Sequence, residues 1–148
     1  MDTAIPLNPA GQSSDRAIVD FVGRYGVVTI DHVIEALGLA RTTAYRRIAA
    51  CVEGRLLERF QFLNLEPSLL CATRRGLRYA GLALAPARVS FASVDHRLRS
   101  ATTAQLLAKE FQSSQILSER QLIHAERLAG KPLFSARLPK SRLHRPDL

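Results

Sequence analysis

Leu37-Gly38-Leu39-Ala40-Arg41-Thr42-Thr43-Ala44-Tyr45-Arg46-Arg47 is the stretch from which the rest of the chain can be read. Leu37 ends a segment of apolar residues at helical spacing, and Gly38 accepts the left-handed backbone that closes a helix. The residues that follow return at once to helical spacing. Two helices joined by three or four residues, one of them glycine, are therefore expected on either side of Leu39.

Steps of 100° assign the sides of the second helix, Arg41 to Glu53. Ala44, Ile48, Cys51 and Val52 fall on one apolar side, with Thr42, Thr43, Arg46 and Ala50 opposite and Arg41, Tyr45 and Arg47 on the flanks. A short, polar, cationic outer face suits a DNA major groove. Arginine can donate two hydrogen bonds to guanine, threonine can reach a base edge or a phosphate, and alanine lets the backbone approach. Taken alone, the same face is equally that of a solvated amphipathic helix. Its context favours DNA. Upstream, Ser14 can cap a helix from Asp15 to Tyr25 with Ala17, Ile18, Phe21 and Val22 as its apolar stripe and Gly26 closing it. Thr29 can cap a second, Ile30 to Leu37, with Val33, Ile34 and Leu37 facing inward. Three helices in this order, the third basic, form the core of a helix-turn-helix DNA-binding domain.

The run Leu37 to Ile48, followed by Gly54-Arg55-Leu56-Leu57-Glu58-Arg59, resembles the winged helix-turn-helix pattern, in which the recognition helix ends at a glycine and enters a β-hairpin wing. Ala40 departs from it, standing where such proteins usually place a serine cap; the departure weakens the helix start by about 1 kcal/mol.

The chain has 148 residues, 47% of them hydrophobic, enough to bury a core as one domain with an appendage or as two small modules. Its formal charge of +8 is unevenly placed: −3 over residues 1–36, +6 over 37–88, +1 over 89–129 and +4 over 130–148. Positive charge thus gathers on the third helix with its wing and on the C-terminal tail, and a polyanion is the partner it implies. A membrane surface would call for one long helix with a bulky apolar face, which the sequence lacks. No apolar run nears the roughly 20 residues of a membrane span, and Met1 to Gln12 has neither the basic start nor the apolar centre of a secretion signal, so a cytoplasmic protein is expected. Cys51 and Cys71 lie in apolar segments without metal-ligand spacing and read as buried reduced thiols.

Residues 1–13, with Pro6, Pro9 and Gly11, read as a flexible arm. Residues 14–85 form the winged domain. Within it Leu56 to Leu63 and Leu69 to Ala72, around a turn at Asn64 to Ser68, make the wing; its tip carries Glu66 and no base, so Arg55 and Arg59 near its start are the phosphate candidates. Thr73 caps a short helix that adds Arg74, Arg75 and Arg78 beside the wing. Residues 86–92 are the linker, and residues 93–148 a C-terminal α/β module with a basic tail. That module opens on a long helix, Val94 to Gln112, whose alanine-rich side can pack on another helix internally or across a homodimer. Gln115-Ile116-Leu117 is a candidate buried strand. Ser118 with Gln121 forms a capping box opening a helix from Glu119 to Ala129 that stops at Gly130. The expected class is mainly α with a small β-hairpin.

The second half brings a narrower resemblance. Asp95-His96 early in a long helix, Ile116-Leu117-Ser118-Glu119-Arg120 and Arg145-Pro146-Asp147, after Ala72-Thr73-Arg74-Arg75-Gly76, are similar to the plasmid replication-relaxation family. That resemblance implies a winged DNA-binding module joined to a degenerate nuclease fold and a role in plasmid replication or mobilisation. The sequence stops at Leu148, where the family continues into further strands, so a truncated nuclease-like α/β fold or an incomplete C-terminal sheet is expected. A metal-dependent nuclease needs clustered carboxylates and a lysine or water. Glu119 and Asp147 could be two such groups, but no acid-x-lysine strand follows. His32, His96, His124 and His144 share no ligand spacing, and no phosphate-cradling glycine loop or serine elbow occurs. No catalytic residue, metal, cofactor or small-molecule substrate is therefore assigned. The expectation is a double-stranded DNA-binding regulator in which Arg41, Thr42, Thr43, Tyr45 and Arg46 read the major groove and Arg47, Arg55, Arg59, Arg74 and Arg75 hold phosphates. The alternative is a nuclease-related protein or remnant targeted by the winged module.

Overall fold

The computed structural model describes residues 14–61 and 67–133, with the backbone of 136–137 and 143–144. The elements run α1 (Ser14–Tyr25), β1 (Val27–Thr29), α2 (Ile30–Leu37), α3 (Arg41–Glu53), β2 (Leu57–Phe60), β3 (Leu69–Ala72), α4 (Arg74–Ala80), α5 (Phe91–Glu110), α6 (Glu119–Ala129), β4 (Ala136–Arg137) and β5 (Leu143–His144). The protein is mainly helical with a three-stranded antiparallel sheet in the order β1-β3-β2, in which Val27 faces Cys71 and Leu57 faces Ala72. Three helices, a hairpin and a strand inserted after α1 make this the winged arrangement that the sequence leads one to expect.

α1 is the centre of the molecule. Ile18, Val19 and Val22 are completely buried, and Asp20, buried among them, is matched by a two-pronged bond from Arg24 at 2.7 and 3.2 Å. Around α1 pack α2, α3, α4 and β3, with α5 and α6 closing the remaining side. One core results, from Ile18 through Ile48 and Leu70 to Ala101 of α5.

β1 is an element the sequence reading lacks. Both Val27 and Val28 are fully buried, so the strand shows none of the in-out alternation that marks a half-exposed one. Conversely, Gln115-Ile116-Leu117 is not a strand. Ser118 at its end donates to the carbonyl of Arg24 at 2.7 Å, tying the segment to the end of α1 rather than to the sheet. The long helix begins three residues earlier than expected, at Phe91, and ends at Glu110 because Phe111 leaves helical geometry at φ −111°, ψ 62°. Residues 64–66 of the expected wing turn at Asn64 to Ser68, the arm and Asp147 lie outside the described residues.

α5 docks on α2 through a polar seam. His32 Nε2 lies 2.9 Å from the Thr102 hydroxyl, Gln105 donates to the His32 carbonyl at 2.7 Å, and Lys109 pairs with Glu35. The other nitrogen of His32 completes the α2 capping box, accepting from the Thr29 N–H at 3.1 Å while Thr29 Oγ1 receives the His32 N–H. His32 Nδ1 must therefore stay unprotonated. Burial holds the His32 pKa below 6.5, with Glu35 and Asp31 pulling weakly the other way. Since the unfolded chain takes up this proton more readily than the folded one, stability is lost as pH falls below 6.5. We expect the melting temperature of the wild type to drop between about pH 7.5 and pH 5.5, and His32→Gln, which keeps an acceptor at the third helical position, to reduce that drop. Parallel melting curves for the two proteins would refute this.

Candidate nucleic-acid interface

The helix-turn-helix rests on two features of its joint. Gly38 adopts φ 60°, ψ 33°, and Leu39 donates to the Ile34 carbonyl at 3.2 Å, so α2 stops and the chain turns within three residues. α3 then starts at Arg41 without a side-chain cap, as Ala40 requires. Ala44, Ile48 and Cys51 seat α3 against the core. Arg41, Thr42, Tyr45, Arg46, Ala49 and Ala50 are exposed and Thr43 half-buried. The apolar and polar sides fall where the 100° steps put them.

The basic side chains have different attachments. Arg46 has no partner among the described residues and stands free on the outer face. Arg41 is held to Asp31 at 2.9 Å and lies 6.0 Å from the centre of the Tyr45 ring, an exposed arrangement that orients it with little energy. Arg47, half-buried, bonds Asp15 at 3.0 Å and so links α3 to the start of α1.

The corner after α3 is more constrained than the sequence indicates. The glycine expected to end the helix, Gly54, has φ −71°, and the left-handed position is taken by Arg55 at φ 56°. Arg55 donates to Val52 and Leu56 to Cys51, the paired bonds of a Schellman ending. A non-glycine residue at such an angle carries a cost of about 1 kcal/mol. Such strain gathers at functional positions, and here it turns an exposed cation outward at the root of the wing. Exposed Arg74, Arg75 and Arg78 on α4 stand near the same corner, because Thr73 caps α4 and also donates from its hydroxyl to the Arg55 carbonyl at 2.7 Å; exposed Arg59 lies further along β2, opposite Leu70. Arg55→Gly should therefore raise the melting temperature by a few degrees while weakening DNA binding and lowering its salt slope by about one. A lower melting temperature, or an unchanged slope in a salt titration, would contradict this.

Groups considered for other chemistry are engaged elsewhere. His96 lies 3.3 Å from Glu119, bridging α5 to α6, while Asp95 pairs with Arg99 at 2.9 Å. Among the described residues no group of three or more His, Cys, Asp or Glu side chains is placed to hold a metal ion. Cys51 and Cys71 are buried free thiols, and burial pushes the Cys51 pKa up to about 11. No helix among the described residues is long and apolar enough to cross a membrane.

No family model and no curated protein matches the chain. Among solved structures it is similar to a double mutant of Lactococcus lactis ZitR in apo form, at 17% identity and a TM-score of 0.42, covering 80% of this chain and 79% of that one. A second structure of that mutant is 14% identical with a TM-score of 0.42, covering 88% of this chain and 78% of that one.

Proposed function

We propose that this chain is a double-stranded DNA-binding regulator that reads the major groove with α3. The observation carrying this is the exposed polar face of α3, with Arg46, unpaired among the described residues, at its centre, on a helix whose other side is locked into the core. Arg41, Thr42, Thr43, Tyr45 and Arg46 are the base-reading residues; Arg55, Arg59, Arg74 and Arg75 supply phosphate contacts that set the register. A phosphate contact by Arg47 is shared with Asp15. No catalytic step is assigned.

The alanine-rich side of α5 is occupied within the chain, since Ala101 and Ala104 are buried. A homodimer would use the opposite side, where Leu106 is exposed, and two recognition helices would then meet half-sites about one helical turn apart. Within this class, the resemblance to the replication-relaxation family points to plasmid replication or mobilisation as the controlled process.

Selection from a random duplex pool at two salt concentrations tests the reading. An enriched motif is expected, and its symmetry reports the assembly. Steeply salt-dependent binding without enrichment would leave only a nonspecific basic surface.

A further inference from the structure

A second basic cluster lies away from the recognition helix, and the DNA reading does not use it. Arg97 of α5 and Arg120 in the first turn of α6 converge on Gly26, between α1 and β1. A Cβ there would stand 2.9 Å from Arg97 Nη1 and 2.8 Å from Arg120 Nη1, so the two nitrogens are at most 5.7 Å apart, the sum of those distances. Gly26 adjoins the end of β1 at which Val27 faces Cys71, whereas β2 and β3 leave for the wing at the other end, where Phe60 faces Leu69.

The two guanidiniums are half-buried, yet among the described residues neither pairs with a carboxylate. Burial, and after it the charge of Arg97, depress the proton affinity of Arg120. The Cys71 thiol beside them is pushed up by burial and supplies no negative charge at neutral pH. Arg120 Nη2 donates to the Ala85 carbonyl, while Arg97 Nε is buried with no hydrogen-bond partner among the described residues. Two like charges facing one glycine, one of them with a buried, unpartnered Nε, are what a bound anion would satisfy. Two planar forks match several oxygens and a dianion better than a single carboxylate does.

We propose that Arg97 and Arg120, over Gly26, form a binding site for a small phosphate-bearing molecule. Its occupancy ties α5 and α6 to the α1–β1 turn and so to the frame that carries the helix-turn-helix.

The test uses the full chain and inorganic phosphate, with chloride at equal ionic strength as the control. Phosphate should raise the melting temperature of the wild type and of Arg46→Ala in a concentration-dependent way, as a ligand of the folded state does. Arg97→Gln and Arg120→Gln should lose that response. Without phosphate, Arg97→Gln should melt no lower than the wild type, because it removes a repulsion. Equal effects of phosphate and chloride, or a response that survives Arg97→Gln, would overturn the proposal. So would a large loss of phosphate-free stability in Arg97→Gln, which would make the pair a structural contact. A fall in the salt slope of DNA binding in Arg97→Gln, with no response of the wild type to free phosphate, would assign the cluster to the DNA backbone instead.

Discussion

Gly76→Ala should destabilise the protein by about 3 kcal/mol or more and lower its melting temperature by about 10 °C, although it replaces a glycine by the best helix former. Intrinsic propensity argues the other way, for a gain of about 0.5–1 kcal/mol. Packing outweighs it here. A Cβ on Gly76 would stand 2.0 Å from the Leu56 carbonyl oxygen and 2.9 Å from its carbon, and this neighbour is backbone that cannot swing aside. It is held there because the same oxygen accepts from the Thr73 N–H at 3.1 Å, and Thr73 in turn caps α4 through the Gly76 N–H at 2.9 Å. The same Cβ would also stand 3.2 Å from Val19 Cγ1, so any relief must pull α4 off the corner between α3 and β2 and disturb the cap. Arg78→Ala, an exposed change on the same helix, should move the melting temperature little. A thermal melt in which Gly76→Ala matches or exceeds the wild type would show that the α4 corner is not packed as described.

Arg46→Ala should weaken binding to the selected duplex by about tenfold to a hundredfold, the cost of one two-pronged contact with guanine, while leaving affinity for a scrambled duplex nearly unchanged. Arg46 has no partner among the described residues, so its loss should leave the fold intact. Substituting Arg75 should behave differently, weakening both duplexes alike and reducing the salt slope by about one. If Arg46→Ala lowered affinity equally for both duplexes, Arg46 would be a phosphate contact and α3 would not be reading bases through it.

The parts of the fold that the sequence made legible are those where one residue type has one physical use. Thr29, Thr73 and Ser118 accept backbone N–H groups at the starts of α2, α4 and α6, and Gly38 closes α2, so these bounds fall where expected. β1 was hidden because three residues buried on both faces show no period, and only β3, 40 residues further on, supplies its partner. The left-handed backbone of Arg55 leaves no mark in the sequence, since the glycine one position earlier offers the simpler ending. The outward face of α3 follows from spacing alone. The meeting of Arg97 with Arg120 could not, because it depends on how α5 and α6 fold back on the α1–β1 turn. The attachment of Arg47 to Asp15 depends likewise on how α1 lies across α3.

The most direct test of major-groove reading is a double-mutant cycle between Arg46→Ala and replacement of the contacted guanine by 7-deazaguanine in the selected duplex. The replacement removes only the major-groove N7 acceptor and leaves the phosphates and the minor groove as they were. Non-additive losses are predicted: the modified base should weaken the wild type and have little further effect on Arg46→Ala. Additive losses at every guanine of the site would contradict base reading by Arg46.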